Sequence, residues 1–498
     1  MYRDIDTESD LRNSLGLSCC RQLLTVLQLA LHRSHGESGI HHMTEIQGSL
    51  RGADMRRAVS AAAIGNFITW FDFAAYGFLA VILGDVFFPS SNPATSLLAT
   101  FAAFGVAFLM NPVGGFVFGR LGDKLGRKRI LATVILLMSF STFAVGLLPG
   151  YAAIGITAPV LLVILRIIQG FAAGGEPGGA ATFLVESARK GRRAQTVSFW
   201  HASSYLANAA ASLLVLFLHA VLSDGAMHDW GWRIPFLIAG PLGLVGLYIR
   251  LRLSDTAEFE RLQSEGEVSQ SPVREAIATH WRQILQVIGC IALQGAAFYF
   301  IFVYMETYLQ SQVGFSPIQA SVSTIICLCS AAIAIFAFAR LSDRVGRRPV
   351  IIAGAVTSTA IVYPAFAGFA TGNVIAIVIA HAAMGICLAM FMSASGAAMV
   401  EIFPSRVRYA GFSIGFNVSV AIFGGTAPYV ATYLISVTGS SLAPSLILIV
   451  TGSMAIVAAL TLRETAGPRG DLAPNDYRRP APRSAAQAPF MTPAALSS

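Results

Sequence analysis

The sequence predicts an all-α membrane protein whose twelve transmembrane helices form two six-helix bundles related by pseudo-two-fold symmetry. Three observations point there. Of 498 residues, 55% are hydrophobic and only 12% charged, about half the charged share of a soluble domain. Mean hydropathy is +0.65, more apolar surface than a water-soluble core can hide. Apolar runs long enough to span a bilayer recur along the chain, with positive charge gathered in alternate loops between them. Lastly, the stretch Gly119–Arg129, GRLGDKLGRKR, recurs as Ala339–Pro349, ARLSDRVGRRP. Asp123, Gly126 and Arg127 map onto Asp343, Gly346 and Arg347 at an offset of 220 (343 − 123). Glu186, followed by Arg192 and Arg193, maps onto Glu401, followed by Arg406 and Arg408, at an offset of 215 (401 − 186). Two landmarks at nearly one spacing indicate a duplicated half, as in transporters built from parallel repeats.

In chain order, residues 1–55 read as a disordered leader, or as sequence preceding a translation start at Met43 or Met55. The run Leu23–Leu31 is too short to span. Spans are expected at about 58–83, 96–119, 129–148, 159–187, 195–221 and 233–252, forming an N-terminal bundle over 56–252. A cytoplasmic linker, 253–281, is rich in Glu, Ser and Gln, with room for one surface helix. Further spans are expected at about 283–309, 317–339, 349–370, 374–401, 408–436 and 444–462, forming a C-terminal bundle over 282–464. Residues 465–498, rich in Pro and Ala, read as a disordered tail.

The loops 84–95, 149–158, 222–232, 310–316, 371–373 and 437–443 contain no Lys or Arg, whereas the alternate loops carry Lys124, Arg127, Lys128, Arg129, Arg189, Lys190, Arg192, Arg193, Arg344, Arg347, Arg348 and Arg406. That asymmetry places both termini in the cytoplasm, and Trp230 and Trp232 at an outer edge suit the interfacial belt. The net charge of +8 is accounted for by these loops and implies no nucleic-acid partner. Cys290, Cys327, Cys329 and Cys387 lie in apolar runs and Cys19 and Cys20 in the leader, a spacing that suits neither disulfides nor a metal. Gly411–Gly415 matches the Gly-x-Ser-x-Gly nucleophile elbow, but it lies in a membrane helix rather than a strand–turn–helix and is discounted. No phosphate-binding Gly-x-x-x-x-Gly-Lys loop suggests ATP as the energy source. The expectation is a non-enzyme without cofactor.

Ionisable groups inside a spanning helix cost roughly 2.5–3.5 kcal/mol each on insertion scales, so each is a functional hypothesis. The first span carries Asp72. The fourth carries Arg166, Gln169 and Glu176, spaced to fall in one helical sector. The fifth carries His201, Ser204, Tyr205 and Asn208 on one face, and the seventh carries Tyr299, Tyr304 and Tyr308. Polar stripes on several helices of one half imply a wet cavity. Structural alternatives stand beside each: Asp72 with Arg166 as an interhelical ion pair, Glu176 as packing beside Gly174 and Gly178, His201 as an interhelical hydrogen-bonder, the tyrosines as core and belt aromatics. His381 and Asn417 are single polar groups with no assigned role.

Both copies of the repeated loop follow Gly-x-Leu-x-Asp-Arg/Lys-x-Gly-Arg-Arg/Lys, which resembles the signature loop of the major facilitator superfamily across roughly residues 56–464. RIIQGFAAGGEPGGAATFLVES, DWGWRIPF and IFGGTAPYV resemble its metabolite–proton symporter family, which includes proline/betaine, α-ketoglutarate, citrate and shikimate transporters. ETAGPRG after the last span and PLGLVGLYIR on the sixth look most like the proline/betaine branch. The sequence departs from the family at Thr69, where Glu is common in the Glu-Trp-Phe-Asp of the first helix. It departs again at Asn111, where an Arg is usual, and at Pro177, where a bulkier residue is usual.

The resemblance implies a proton-coupled symporter in the plasma membrane (the inner membrane of a bacterium), importing a small polar metabolite such as proline, glycine betaine or an organic acid. Its partners would be substrate, protons and the lipid bilayer, with a monomer as the unit. Arg166 would attract the substrate carboxylate, and Asp72 or Glu176 would carry the proton. The alternative is a proton-coupled exporter of a metabolite or drug, but HASSYLANAAASLLVLFL lacks the Gly/Pro motif such antiporters share on the fifth helix. The resemblance also implies a cytoplasmic charge cluster of Asp123, Arg127 and Glu186, repeated as Asp343, Arg347 and Glu401. Asp123 would face the positive N-terminal end of the eleventh helix in the other half.

Overall fold

A computed structural model describes residues 59–60, 63–125, 127–189, 191–251, 272–405 and 407–466; the side chains of 119–120, 122–131 and 249–251 fall outside this description. The expected leader, most of the expected linker and nearly all of the expected tail therefore lie outside the described residues. Among the described residues there are eight helices long and apolar enough to span, two bent pairs that each make one span, and two shorter apolar helices, twelve in all.

The first six are α1 (Ala63–Phe78 bent by 66° into Ala80–Phe87), α2 (Pro93–Leu109 continued by Asn111–Leu125), α3 (Arg127–Leu147), α4 (Thr157–Ala173 and Pro177–Ser187), α5 (Arg193–Val221) and α6 (Asp224–Gly231 joined at 41° to Arg233–Leu251). The second six are α7 (Pro272–Tyr299, extended through two π turns to Val313), α8 (Pro317–Val345), α9 (Arg347–Ala360 and Val362–Phe369), α10 (Val374–Glu401), α11 (Arg408–Ser419, a π turn, then Ala427–Thr438) and α12 (Ser445–Thr461).

Local sequence explains the irregularities. The break in α4 falls at Gly174-Gly175-Glu176, ahead of Pro177, which has no N–H to donate and whose ring excludes the preceding carbonyl. α8 starts on a capping box, with Ser316 and Gln319 bonding each other's backbone N–H and Pro317 at the first helical position. α7 is helical from Pro272, ahead of the expected start near 283, with a kink at His280 (φ −119°).

Lipid offers no hydrophobic drive between helices, so close packing and interhelical hydrogen bonds must hold the bundle. The α2–α4 crossing shows how. A Cβ on Gly114 would collide with the Phe171 carbonyl, one on Gly170 with that of Ala107, and one on Gly174 with that of Asn111. Gly178 instead clears Ser413 of α11, so Gly174 and Gly178 serve two different neighbours.

Between the halves runs a seam. α5 packs on α8 and α10, α2 packs on α11, and the second segment of α4 packs on α10 and α11. α1 meets α7 through Trp70, whose ring lies 4.4 Å from that of Phe298. The seam has a basic end, where the arginine-rich loops gather, and an opposite end.

Candidate functional site

In the first half, Arg166 is fully buried. Its Nη1 donates to Gln169 Oε1 at 2.6 Å, and Gln169 Nε2 donates to Thr142 Oγ1 of α3 at 2.8 Å. The guanidinium also lies over the Tyr76 ring, 3.8 Å from its centroid, and Nη1 is 4.0 Å from Asp72 Oδ2. Three helices thus converge on one buried cation. The network is incompletely bonded: Nε and Nη2 of Arg166 and both carboxyl oxygens of Asp72 have no hydrogen-bond partner. A buried ion pair normally has its remaining hydrogen-bonding positions filled, so this arrangement is an exception that asks for a reason. Asp72 also borders a small cavity between α1, α3 and α6, with Thr69, Ser139 and Thr142 on its wall.

Glu176 stands at the α4 break, where its Oε2 accepts from Thr69 Oγ1 of α1 at 2.5 Å. The four residues expected on α1 and α4 are therefore brought together in two adjoining layers, Asp72–Arg166–Gln169 and, with Thr69 as its partner, Glu176. Asn66, one turn before Trp70, was not singled out from the sequence. Its amide donates to Trp200 O (2.9 Å), Ser203 Oγ (2.8 Å) and Ser204 Oγ (2.7 Å), while its carbonyl accepts from Trp70 Nε1 (2.8 Å). It ties α1 to α5 and sets the height of the α5 polar face.

That α5 face looks onto the seam. His201 is buried with Nε2 free of hydrogen bonds, close against Gly396 of α10. The Tyr205 hydroxyl reaches Met392 Sδ at 3.1 Å. Asn208 donates to Ser204 O at 2.8 Å and leaves its Oδ1 unbonded. Tyr299 packs among Trp70, Phe104, Phe108 and Phe298. Tyr304 packs against Phe101 of α2, and its hydroxyl accepts from Thr432 Oγ1 of α11 at 3.2 Å. These two tyrosines plug the seam; the Asp72–Arg166 layer sits apart from them, inside the first bundle.

The basic end is held by charge. Arg347 Nη1 donates to Asp343 Oδ1 at 2.6 Å, and its Nε lies 3.5 Å from Glu401 Oε2. Asp343 also reaches across the seam. Its carboxylate accepts from the backbone N–H groups of Ala194 and Gln195, both at 3.1 Å, and from Gln195 Nε2 at 3.1 Å. Those amides are the unpaired donors of the first turn of α5, where the helix dipole also favours an anion. Arg193–Glu401 (3.6 Å) and Arg408–Glu186 (3.2 Å) cross the seam as well. The side chains of Asp123 and Arg127 lie outside the described residues. The arrangement anticipated for Asp123 with α11 is the one Asp343 makes with α5.

At the opposite end the seam is closed by Glu306, in the short helix between the two π turns of α7. It is buried (1% exposed). Oε1 accepts from Ser321 Oγ of α8 at 2.6 Å, and Oε2 accepts from Ser212 Oγ of α5 at 3.1 Å. Glu306 was not singled out from the sequence, although the expected span 283–309 contains it. The signal was present in the length of the apolar run, which continues to Val313 and keeps Glu306 within the helix.

Comparison with known proteins now decides the family. A model of the Major Facilitator Superfamily matches residues 62–329 and 287–496. A proline/betaine transporter of Salmonella typhimurium is 36% identical over 425 residues, covering 83% of this chain and 84% of that protein. The chain belongs to the Major Facilitator Superfamily. Within it, an ectoine/proline transporter of Corynebacterium glutamicum is 36% identical over 82% of this chain and 84% of its own length. A glycine betaine/proline/ectoine/pipecolic acid transporter of Dickeya dadantii is 34% identical over 83% and 84%. These place it in the metabolite–proton symporter family. The fold matches a partially occluded, inward-open xylose transporter of E. coli with a TM-score of 0.66 at 19% identity, covering 83% of this chain and 99% of that one.

Within the superfamily the departures at Thr69 and Asn111 acquire a structural account. Thr69 keeps a bond to Glu176 where a second carboxylate would have repelled it. Asn111 spans α2 and α4: with the side-chain amide assigned so that its nitrogen faces the two carbonyls, it donates to Gly170 O at 2.8 Å and Ala107 O at 3.3 Å. Thr69 and Asn111 are uncharged, and each makes an interhelical hydrogen bond.

Proposed function

We propose that this protein is a proton-coupled symporter that imports a small zwitterionic metabolite of the proline and betaine class by alternating access. The observation that carries the reading is the incompletely bonded Asp72–Arg166 pair, buried between α1, α3 and α4. A zwitterion presents a carboxylate and a cationic nitrogen. Arg166 offers two guanidinium donors to the first, in the planar fork that suits a carboxylate, and Asp72 offers a carboxylate to a proton or to the second. The names of the relatives support the same substrate class.

The basic end faces the cytoplasm by the charge rule, with both termini on that side. The two bundles comprise residues 56–252 and 282–464 and rock about the seam, the linker 253–281 joining them. Ion pairs and the Asp343 cap on α5 hold the cytoplasmic end shut and break when it opens. Such interactions exist in only one of two states, which is how they bias the equilibrium. By the repeat, Asp123, Arg127 and Glu186 are assigned the same role in the first half.

The test is uptake of labelled proline, glycine betaine, citrate and α-ketoglutarate into proteoliposomes, with and without an inward proton gradient and an uncoupler. Gradient-driven, uncoupler-sensitive accumulation of proline or betaine is expected. Accumulation that ignores the uncoupler, or that is seen only for export, rejects the reading.

A further inference from the structure

The two ends of the seam are closed by different chemistry. At the cytoplasmic end each carboxylate seen at the seam among the described residues, Asp343, Glu401 and Glu186, has an arginine within reach. At the outer end Glu306 joins α7 and α8 of the second half to Ser212 of the first through hydroxyls alone. The titratable groups on the elements that hold it are Tyr304 and Tyr308 on α7, Tyr205 on α5, seven residues before Ser212, and Cys327 on α8, six residues after Ser321; all are buried. His219 lies further along α5. His381 of α10 is turned to Ser323 and to the Ile301 carbonyl. α11 and α2 bring Thr432 and Phe101 to Tyr304. Among the described residues no Lys, Arg or Asp pairs with Glu306.

A carboxylate held this way can change its proton state without breaking its cage. Two hydroxyls can donate to the ionised form; for the acid, one hydroxyl turns to accept its O–H, since a serine oxygen serves in either sense. A guanidinium has no such freedom. Opening the outer end withdraws Ser212 on α5 and admits water to Glu306. Closing it again buries the group, and an isolated carboxylate is far costlier to bury than a neutral acid.

We propose that Glu306 is an outer proton-binding group, which takes a proton from the outside solution when that end opens and as the neutral acid allows the end to close over bound substrate. In the step, a hydronium ion of the outside solution gives H⁺ to one Glu306 carboxylate oxygen: the carboxyl O–H forms as one O–H of the hydronium breaks, and water is left. The inference rests on the import reading above and adds a proton site in the second half, distinct from the Asp72 layer in the first.

The experiment reads opening directly rather than transport. Spin labels are placed at the exposed positions Val221 and Ile318, at the outer ends of α5 and α8, in a background with the native cysteines replaced. Distance distributions are recorded in nanodiscs from acid to alkaline pH. Wild type is expected to shift towards longer distances as pH rises. Glu306→Gln, a fixed neutral side chain, is expected to lose that shift and stay at the short distance. Ser212→Ala, which keeps the carboxyl group but removes its tie to α5, is expected to lengthen the distance at acid pH. A wild-type distribution indifferent to pH overturns the proposal, as does a Glu306→Gln protein that shifts as wild type does. If Glu306→Gln does not fold, a Ser212→Ala protein with the wild-type distance at acid pH overturns it alone. Failure of the import reading is separate: it appears as uncoupler-insensitive uptake, which these distances do not measure.

Discussion

Arg166 and His381 stand at equivalent places in the two halves. They are 215 residues apart (381 − 166), the offset that relates Glu186 to Glu401. Both are fully buried, but their surroundings differ. His381 has both ring nitrogens engaged, Nδ1 with Ser323 Oγ and Nε2 with the Ile301 carbonyl, each at 2.9 Å. Its bonds join α10 to α8 and α7 and are complete. Arg166 has two donors unbonded beside an unbonded Asp72. Duplication supplied both halves with a polar position on the same helix. One half satisfied it with neutral partners and the other kept a charge short of partners, which is where binding chemistry is to be sought.

The comparison breaks most directly at Arg166. Removing one partner of a buried ion pair costs about 3–5 kcal/mol because the other charge is left alone. Arg166→Met is therefore expected to abolish uptake and lower thermal stability, read by transport assay and melting curve. Arg166→Lys is expected to fold and to raise the apparent KM for a carboxylate substrate, since an ammonium does not replace a planar fork. An unchanged KM would return Arg166 to a structural role like that of His381.

Asp72→Asn comes next. The amide cannot bind and release a proton, so gradient-driven accumulation should be lost while exchange of labelled for unlabelled substrate persists. Wild-type accumulation in both Asp72→Asn and Glu176→Gln would remove these carboxylates from coupling.

A smaller effect is expected at the basic end of the seam. Asp343→Asn weakens a cap worth about 1 kcal/mol and takes from Arg347 one of its two carboxylates, Glu401 remaining; it should increase labelling, from the side of the basic end, of a cysteine placed in the seam. The change should exceed that of Lys128→Gln, whose charge is read as setting topology. Asp123→Asn should act in the same direction. If labelling is unaltered in both, the repeated loop records duplication and topology only.

The smallest functional effect belongs to His381→Leu. It leaves Ser323 without its partner, a penalty of about 1–3 kcal/mol, and should lower the melting temperature with uptake largely kept. Loss of coupling there, of the size expected for Asp72→Asn, would show that the two halves share the chemistry.

Much of this protein was legible in its sequence. Apolar length and alternating loop charge are properties of the chain itself, so the spans and the two-fold plan could be read directly, as could the intramembrane charges Asp72, Arg166 and Glu176. The Arg166–Gln169 bond follows from helical spacing within one element. Other features required helices from different parts of the chain to meet. That α4 breaks beside Thr69, that Asp343 caps the first turn of α5, and that Asn66 binds two serines of α5 depend on contacts more than a hundred residues apart. Glu306 is the clearest case. A carboxylate near the end of a span is unremarkable until α5 and α8 close over it, and whether they do depends on the packing of two bundles, which helical periodicity does not encode.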